Sequence, residues 1–311
     1  MSITRSFYAN GKLLLTGEYL VMEGAKALAL PLKVGQHLRV KPYPDKSLIW
    51  QASQPEGVWL KAVFSLPDLE IQQTSDLLLA ERLKEILNLV FSKSGIKPDS
   101  GLVMETFLDF NREYGFGSSA TLISLLSQWS GVDGYWLNNR LFGGSGYDMA
   151  CATAAGPIMY SLSDSLPVVE PIDFSPPFHD QIYFVYLGHK QQSRKEIEQF
   201  KLRKKHTNAH VAAISEISEM VCKAGTLPEF EKALLTHEAI MSEILNRKTV
   251  QQTLFEGYNG VVKSLGAWGG DFVLMTTRVS RTDFYREMKN AGYTTIYPFA
   301  DIVMSPPPDY F

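Results

Sequence analysis

The stretch from Gly101 to Gly131 constrains the fold more than any other part of the chain. An alternating run, GLVMETFLDF, passes through NREYG into GFGSSATL and then into SSATLISLLSQWSG, which is apolar at helical spacing. Period-two alternation reads as a half-buried strand and the later spacing as a helix. The glycines let backbone approach a guest closely, and the serines stand where the helix begins. Strand, glycine loop and helix in this order turn the first N–H groups and the positive dipole end of the helix outward, an end suited to phosphate. Two alternatives remain open at this level. Ser118 or Ser119 fits an ordinary N-cap, and the loop formally fits G-x-G-x-x-A, a dinucleotide turn. Against the latter, the loop lies deep in the chain after many strand-like segments instead of opening a βαβ unit. No GxxxxGK[ST] phosphate loop and no HRD or DFG signature occurs.

Around this segment the pattern is mixed. LRVKPYP and SLIWQAS, punctuated by Gly, Pro and Asp, predict an antiparallel sheet in the first sixty residues. From Ser75 the period changes. Leu77, Leu78, Leu79, Leu83, Ile86, Leu87, Val90 and Phe91 form the stripe of an amphipathic helix ending near Ser94 and Gly95. Pro167, Pro171, Pro176 and Pro177 predict extended connecting chain over Leu162 to Phe178, and the domain boundary is placed there. Beyond it, QIYFVYLG reads as a buried strand, followed by three helical segments to about Leu265, a strand in GGDFVLMTT, a helix in TDFYREMKNAG and YTTIYPF. The expectation is two α+β domains, residues 1-165 and 178-311, without internal repeats.

Composition narrows the function classes. Lys+Arg 30 against Asp+Glu 33 gives a net charge of -3, which supplies no broad positive field for nucleic acid or anionic lipid. Cys151 and Cys222 fit neither a disulfide framework nor a zinc pattern, and no apolar run is long enough to span a membrane. A cytoplasmic protein handling a small molecule, with no nucleic-acid or membrane partner, is the expectation. His206 and His210, at i and i+4, lack a third ligand and read as helix surface.

Three further segments carry candidate chemistry. Lys12 lies in ANGKLLLTGEYLVMEGAKALALPL, before a strand-like run ending at Glu18. Asp148 follows Ser145 and Gly146 in GGSGYDMACATAAG, where it also suits a plain helix start. KSLGAWGGDF, from Lys263 to Phe272, is a glycine-rich turn feeding a strand and also suits a tight connection.

With GFGSSA, these segments in this order resemble the GHMP kinases, the superfamily of galactokinase, homoserine kinase, mevalonate kinase and phosphomevalonate kinase. GKLLLTGEYLV with the following A-x-A-L-A-L-P looks like the first motif, GFGSSA the second, and GAWGGDF a variant of the third. GGSGYDMACATAAG resembles the segment of the catalytic aspartate in the form of phosphomevalonate kinases. The resemblance implies a two-domain α+β GHMP kinase fold, with a mixed α+β ATP-binding domain followed by a ferredoxin-like α+β domain. It implies ATP and Mg2+ as cofactors, with Gly115, Gly117, Ser118, Ser119 and Ala120 around the β- and γ-phosphates and Ser119 as a magnesium contact. By the same resemblance Asp148 acts as general base, and Lys12, beside it, keeps that carboxylate ionised and stabilises charge on the transferring phosphoryl group. Glu18, Ser145, Gly146, Gly269 and Gly270 fall on substrate-side positions.

The turn YLGHKQQSRKEIEQFKLRKK resembles in position the substrate-reaching turn of phosphomevalonate kinases. Lys190, Ser193 and Arg194 suit a substrate phosphate there, and the solvated start of a helix is the plainer reading. The implied reaction is γ-phosphoryl transfer to phosphomevalonate or mevalonate, by a monomer or homodimer. The alternatives are a sugar or amino-acid kinase, and a nucleotide-binding sensor that has lost magnesium chemistry.

Two departures from the family pattern bear on magnesium. YWLNNRLFGG lacks the acid the family places about ten residues before its catalytic aspartate, and Asp133 nearby reads as a turn residue. In the third motif Trp268 and Asp271 replace small residues. Asp271 brings negative charge to a loop that approaches phosphate, so that contact is either lost or mediated by a cation.

Overall fold

A computed structural model describes residues 3–97, 100–188, 193–203 and 206–305. The chain divides into two compact units that no single cut in the sequence separates. Unit one comprises Met1–Gly11, Val34–Arg112 and Phe116–Thr153, and unit two comprises Lys12–Lys33, Glu113–Gly115 and Ala154–Phe311. Among the described residues no helix is long and apolar enough to cross a membrane.

Strands β1 (Arg5–Leu14), β2 (Ala27–Tyr43), β3 (Ser47–Gln54), β4 (Gly57–Ser65) and β5 (Ile71–Thr74) precede helix α1 (Leu77–Ser94) and strand β6 (Gly101–Leu108). Helices α2 (Ser118–Ser130), α3 (Gly134–Leu141) and α4 (Tyr147–Thr153) follow. In unit one the strand order is β5-β4-β3-β6-β2, and β1 pairs with β2. β3 and β4, in the stretch where an antiparallel sheet is expected, pair antiparallel, and β6, from farther along the chain, joins β3 in parallel. A crossover through β4, β5 and α1 supplies the length that a parallel pair needs.

Helix α1 starts where Asp76 accepts a hydrogen bond from Leu79 N and stops at Gly95, whose φ is 69°. Its buried stripe is Ala80, Leu83, Ile86, Leu87 and Val90. Leu77 and Leu78, expected on that stripe, are exposed. At about 100° per residue they project with Glu81, Lys84 and Glu85, on the polar side. Trp50, Phe64, Leu87, Met104, Ile123 and Leu126 form the centre of this unit's core, and α2 packs against α1, α3 and α4.

Unit two carries β7 (Ile158–Ser163), β8 (Leu166–Pro171), β9 (Ile182–Tyr186), α5 (Ser193–Arg203), α6 (Asn208–Lys223), α7 (Leu227–Leu245) and α8 (Val250–Leu254). Then come β10 (Val262–Ser264), β11 (Phe272–Thr276), α9 (Arg281–Asn290), β12 (Ile296–Pro298) and α10 (Phe299–Ile302). The proline-rich stretch is not connecting chain over its first part, since β8 pairs antiparallel with β7 from Ile158↔Pro171 to Ser163↔Leu166. All six β8 residues are exposed, and an exposed strand tolerates the N–H groups that Pro167 and Pro171 lack. A four-stranded antiparallel sheet has the order β10-β11-β9-β12. Among the described residues four helices, not three, lie between β9 and β10, and β10 overlaps the start of the span read as glycine-rich turn. Three residues are too few to show a period.

Candidate functional site

The glycine loop leads into α2 through Gly117, a left-handed N-cap with φ 91°, and no side chain caps the helix start. This settles the local alternative: Ser118 and Ser119 are the first two helical residues, not caps. The orphan N–H groups of the first turn are therefore served by no side-chain cap, which suits an anionic oxygen. Ala120 is buried in the core of unit one while Ser119 is exposed.

Asp148 lies in the first turn of α4, half-buried, with Oδ1 accepting from Met149 N at 3.1 Å. Asn10 Nδ2 donates to Cys151 O at 3.3 Å, joining β1 to the same helix. Burial first, then the charges of Cys151, Asp148 and Asp133, pushes the Tyr135 phenol up to about 12. Asp133 accepts from Trp136 N as the N-cap of α3, as expected of a turn residue. Unit one thus brings together α2 with its serines and α4 with Asp148. Gly146 is buried, and Ser145 half-buried, just before α4.

Lys12 is half-buried in β1 and belongs to unit two, where the rest of the first motif is tied to α6. Thr16 Oγ1 lies 2.7 Å from Ser218 Oγ, Leu28 N donates to Thr16 Oγ1 at 3.0 Å, and Lys26 Nζ lies 2.6 Å from Glu219 Oε1. Tyr19, at φ 60°, stacks on Phe200 of α5 at 5.2 Å, and Arg247 holds Glu196 of α5 at 2.7 Å. Lys190 lies outside the described residues, as do the side chains of Ser193 and Arg194.

Glu18, expected on the substrate side, is 3% exposed and has internal partners. Its Oε1 lies 2.5 Å from Lys263 Nζ and its Oε2 3.0 Å from His237 Nε2. Glu238 completes a buried quartet, with Oε1 3.7 Å from Lys263 Nζ and 4.0 Å from His237 Nδ1. Burial alone would raise Glu18, but Lys263 and His237 reverse this and hold it below its ordinary value. Burial, reinforced by Lys263, lowers His237 and keeps it neutral. Gly17 N donates to its Nε2 at 3.1 Å, so that ring nitrogen meets both the Gly17 N–H and Glu18 Oε2. Burial, opposed by Lys263 and aided by Glu18, pushes Glu238 up to about 7.

A carboxyl raised in this way binds its proton more tightly folded than unfolded. It therefore adds stability below the unfolded value of 4.5, and that stability is lost as pH rises through about 7. Glu238→Gln removes this dependence. The wild type should lose a few kcal/mol (~3) between about pH 4.5 and pH 7 relative to the variant, measured by urea unfolding across that range. Parallel pH curves would refute the assignment. None of the other three partners was singled out as a site residue in the sequence. The one signal was a lysine inside the apolar run VVKSL.

In the third motif Trp268 is buried, its backbone N donating to Tyr19 Oη at 2.7 Å and its Nε1 to Lys248 O at 3.1 Å. Gly269 and Gly270 take φ 84° and 43°. Asp271 sits against the glycine loop. A Cβ built on Gly115, whose φ is 68°, would lie 1.8 Å from Asp271 Oδ2 and 2.6 Å from its Cγ. Burial, then the charges of Asp271 and Glu113, raises the Tyr186 phenol. Among the described residues no three His, Cys, Asp or Glu side chains converge as a metal centre. Magnesium fits this donor set only as a companion of nucleotide phosphate, since it is commonly held by one or two carboxylates and the phosphates themselves.

No protein-family model and no curated protein sequence matches the chain. Solved structures do. The Leishmania major (L. major) mevalonate kinase in complex with R-mevalonate superposes with a TM-score of 0.69 at 18% identity, over 98% of this chain and 97% of that one. The Methanococcus jannaschii mevalonate kinase gives 0.70 at 15%, over 98% of each chain. The Streptococcus pneumoniae phosphomevalonate kinase in complex with phosphomevalonate and AMPPNP gives 0.68 at 15%, over 96% and 99%.

Proposed function

We propose that this chain, which has the fold of the GHMP kinases, is an ATP-dependent kinase for a small molecule. The observation that carries the reading is the start of α2, a glycine N-cap with no side-chain cap, packed in one unit with the helix that bears Asp148. Backbone N–H groups and the helix dipole there favour phosphate, and preorganised donors of this kind supply most of what phosphoryl transfer asks of a protein. Magnesium, when bound with the nucleotide, neutralises charge on the phosphates.

Gly115, Gly117, Ser118, Ser119 and Ala120 are assigned to the nucleotide and Ser119 also to the cation. Asp148 orients the acceptor oxygen and takes its proton, while Lys12 stabilises charge on the transferring group. Ser145, Gly146, Gly269, Gly270, Lys190, Ser193 and Arg194 stay assigned to the acceptor. Phosphomevalonate or mevalonate is the proposed acceptor, supported by the sequence resemblance and by the two kinds of kinase among the superposed structures. A cytoplasmic setting belongs to the same proposal.

The test is ADP release from Mg-ATP with phosphomevalonate, mevalonate, homoserine, galactose and buffer alone. One acceptor should stimulate release at least about tenfold over buffer, a threshold of about 1.4 kcal/mol in the barrier. ATP binding without stimulation by any acceptor would favour the nucleotide sensor and overturn the kinase assignment.

A further inference from the structure

The His237 ring is fully buried, and its Nε2 meets two groups that ask opposite things of it. The Gly17 N–H, at 3.1 Å, needs the lone pair of that nitrogen, whereas Glu18 Oε2, at 3.0 Å, is satisfied only by an N–H on it. A neutral imidazole serves one of them at a time. Across the ring, Nδ1 stands 4.0 Å from Glu238 Oε1, and neither atom makes a hydrogen bond among the described residues. Glu18 Oε2 makes none either, as follows when Nε2 accepts from Gly17. Polar atoms this deeply buried ordinarily find partners, so three together mark a cluster caught between two hydrogen-bonding arrangements.

We propose that this quartet is a proton-operated latch on the first motif: one proton, taken up by the Glu238 and His237 pair, exchanges the bond from the Gly17 N–H to His237 for a bond from His237 to Glu18. With Glu238 ionised, the ring proton sits on Nδ1 towards that carboxylate, and Nε2 accepts from Gly17. On proton uptake Nδ1 gives its proton to Glu238 Oε1 and Nε2 binds one from solvent. Nε2–H then donates to Glu18 Oε2, and the Gly17 N–H loses its acceptor. The imidazole is neutral in both states, while the quartet passes from one net negative charge to none. Glu18 is not the group that titrates, because Lys263 and His237 hold it ionised.

The charges that face the pair are Glu18 from the first motif and Lys263 from β10, with the Ser264 N–H at 3.4 Å from Glu238 Oε2. Glu231, two turns earlier on α7, is engaged by Arg278 and Thr276. On α6, which packs on α7, Glu219 is held by Lys26 and Lys223. The bond that is exchanged anchors a tight turn. Gly17 has φ 87°, and a Cβ built on it would lie 2.5 Å from Ala27 Cβ. Two residues on, Tyr19 has φ 60° and its Oη accepts from Trp268 N at 2.7 Å, which ties the same turn to the third motif. Every group named lies in unit two, and the inference stands without the kinase reading.

The experiment is imidazole nitrogen NMR of the full chain, isotopically labelled at histidine, from about pH 5 to about pH 9, for the wild type and Glu238→Gln. Replacing His37, His179, His189, His206 and His210 by Gln one at a time assigns their rings and leaves His237 by elimination. The His237 ring should stay neutral and carry its proton on Nε2 at low pH and on Nδ1 at high pH, with a midpoint of about 7. Glu238→Gln keeps the shape and takes up no proton, so it should hold one tautomer throughout. Amide exchange, corrected for its intrinsic pH dependence, should show Gly17 losing at least about tenfold of its protection below the midpoint in the wild type and none in the variant. A ring that keeps one tautomer, that becomes imidazolium, or that still switches in Glu238→Gln overturns the proposal. So does a switch that leaves Gly17 protection unchanged. Circular dichroism checks the fold of the variant, and the wild-type titration is decisive without it.

Discussion

Asp148→Asn is expected to lower turnover by about two to four orders of magnitude while leaving ATP affinity within about threefold. The substitution keeps the size of the side chain and removes its capacity to take a proton. In the first turn of α4 Asp148 is half-buried, its Oδ1 already bonded to the adjacent Met149 N–H. An amide there can reproduce that contact, so α4 and its packing on α2 should survive. The role assigned to Asp148 concerns the acceptor oxygen, not the nucleotide, which is why the two effects should separate. Steady-state turnover and nucleotide titration on the same preparation decide the matter. Equal losses in both would move Asp148 from the chemistry to the architecture of the nucleotide loop.

Lys263→Met should have the largest effect on stability, about 3–5 kcal/mol in urea unfolding at neutral pH. Lys263 is fully buried, and its Nζ is 2.5 Å from Glu18 Oε1, 2.8 Å from Ser264 O and 3.7 Å from Glu238 Oε1. Removing it leaves two carboxyls in a closed space with a neutral imidazole. Met preserves most of the volume, so the loss reports charge and hydrogen bonding more than a cavity. Adding Glu18→Gln should restore a good part of the loss, because the uncompensated charge is then gone. A single variant within about 1 kcal/mol of the wild type would mean that the quartet does not hold the first motif to α7 and β10.

The longer helices α1, α2 and α9 and several of the strands could be read from consecutive residues. The period change at Ser75 announces α1, and its cap residues Asp76 and Gly95 stand next to the stripe they bound. The glycine loop, α2 and the α4 start were legible for the same reason: strand, turn and helix signals follow one another within about one loop length. The proline stretch was legible as extended chain, but its pairing with β7 was not, since proline content speaks to φ and to missing donors and says nothing about a neighbouring strand. β10 escaped because three residues show no periodicity, and its place follows from β11 alongside it.

By itself, the sequence determined α1, the strand, glycine loop and helix that lead into α2, the phosphate-suited start of α2 and the resemblance that the GHMP-kinase fold agrees with. Only the tertiary structure decided what surrounds Glu18 and Asp271. Glu18, His237, Glu238 and Lys263 come from the first motif, α7 and β10, and Asp271 meets Gly115 across about half the chain. Backbone propensities act over a few residues, whereas burial of charge is a property of the neighbours that packing assembles. The same glutamate would read as a surface ligand or as the centre of a closed ionic cluster depending on side chains more than two hundred positions away.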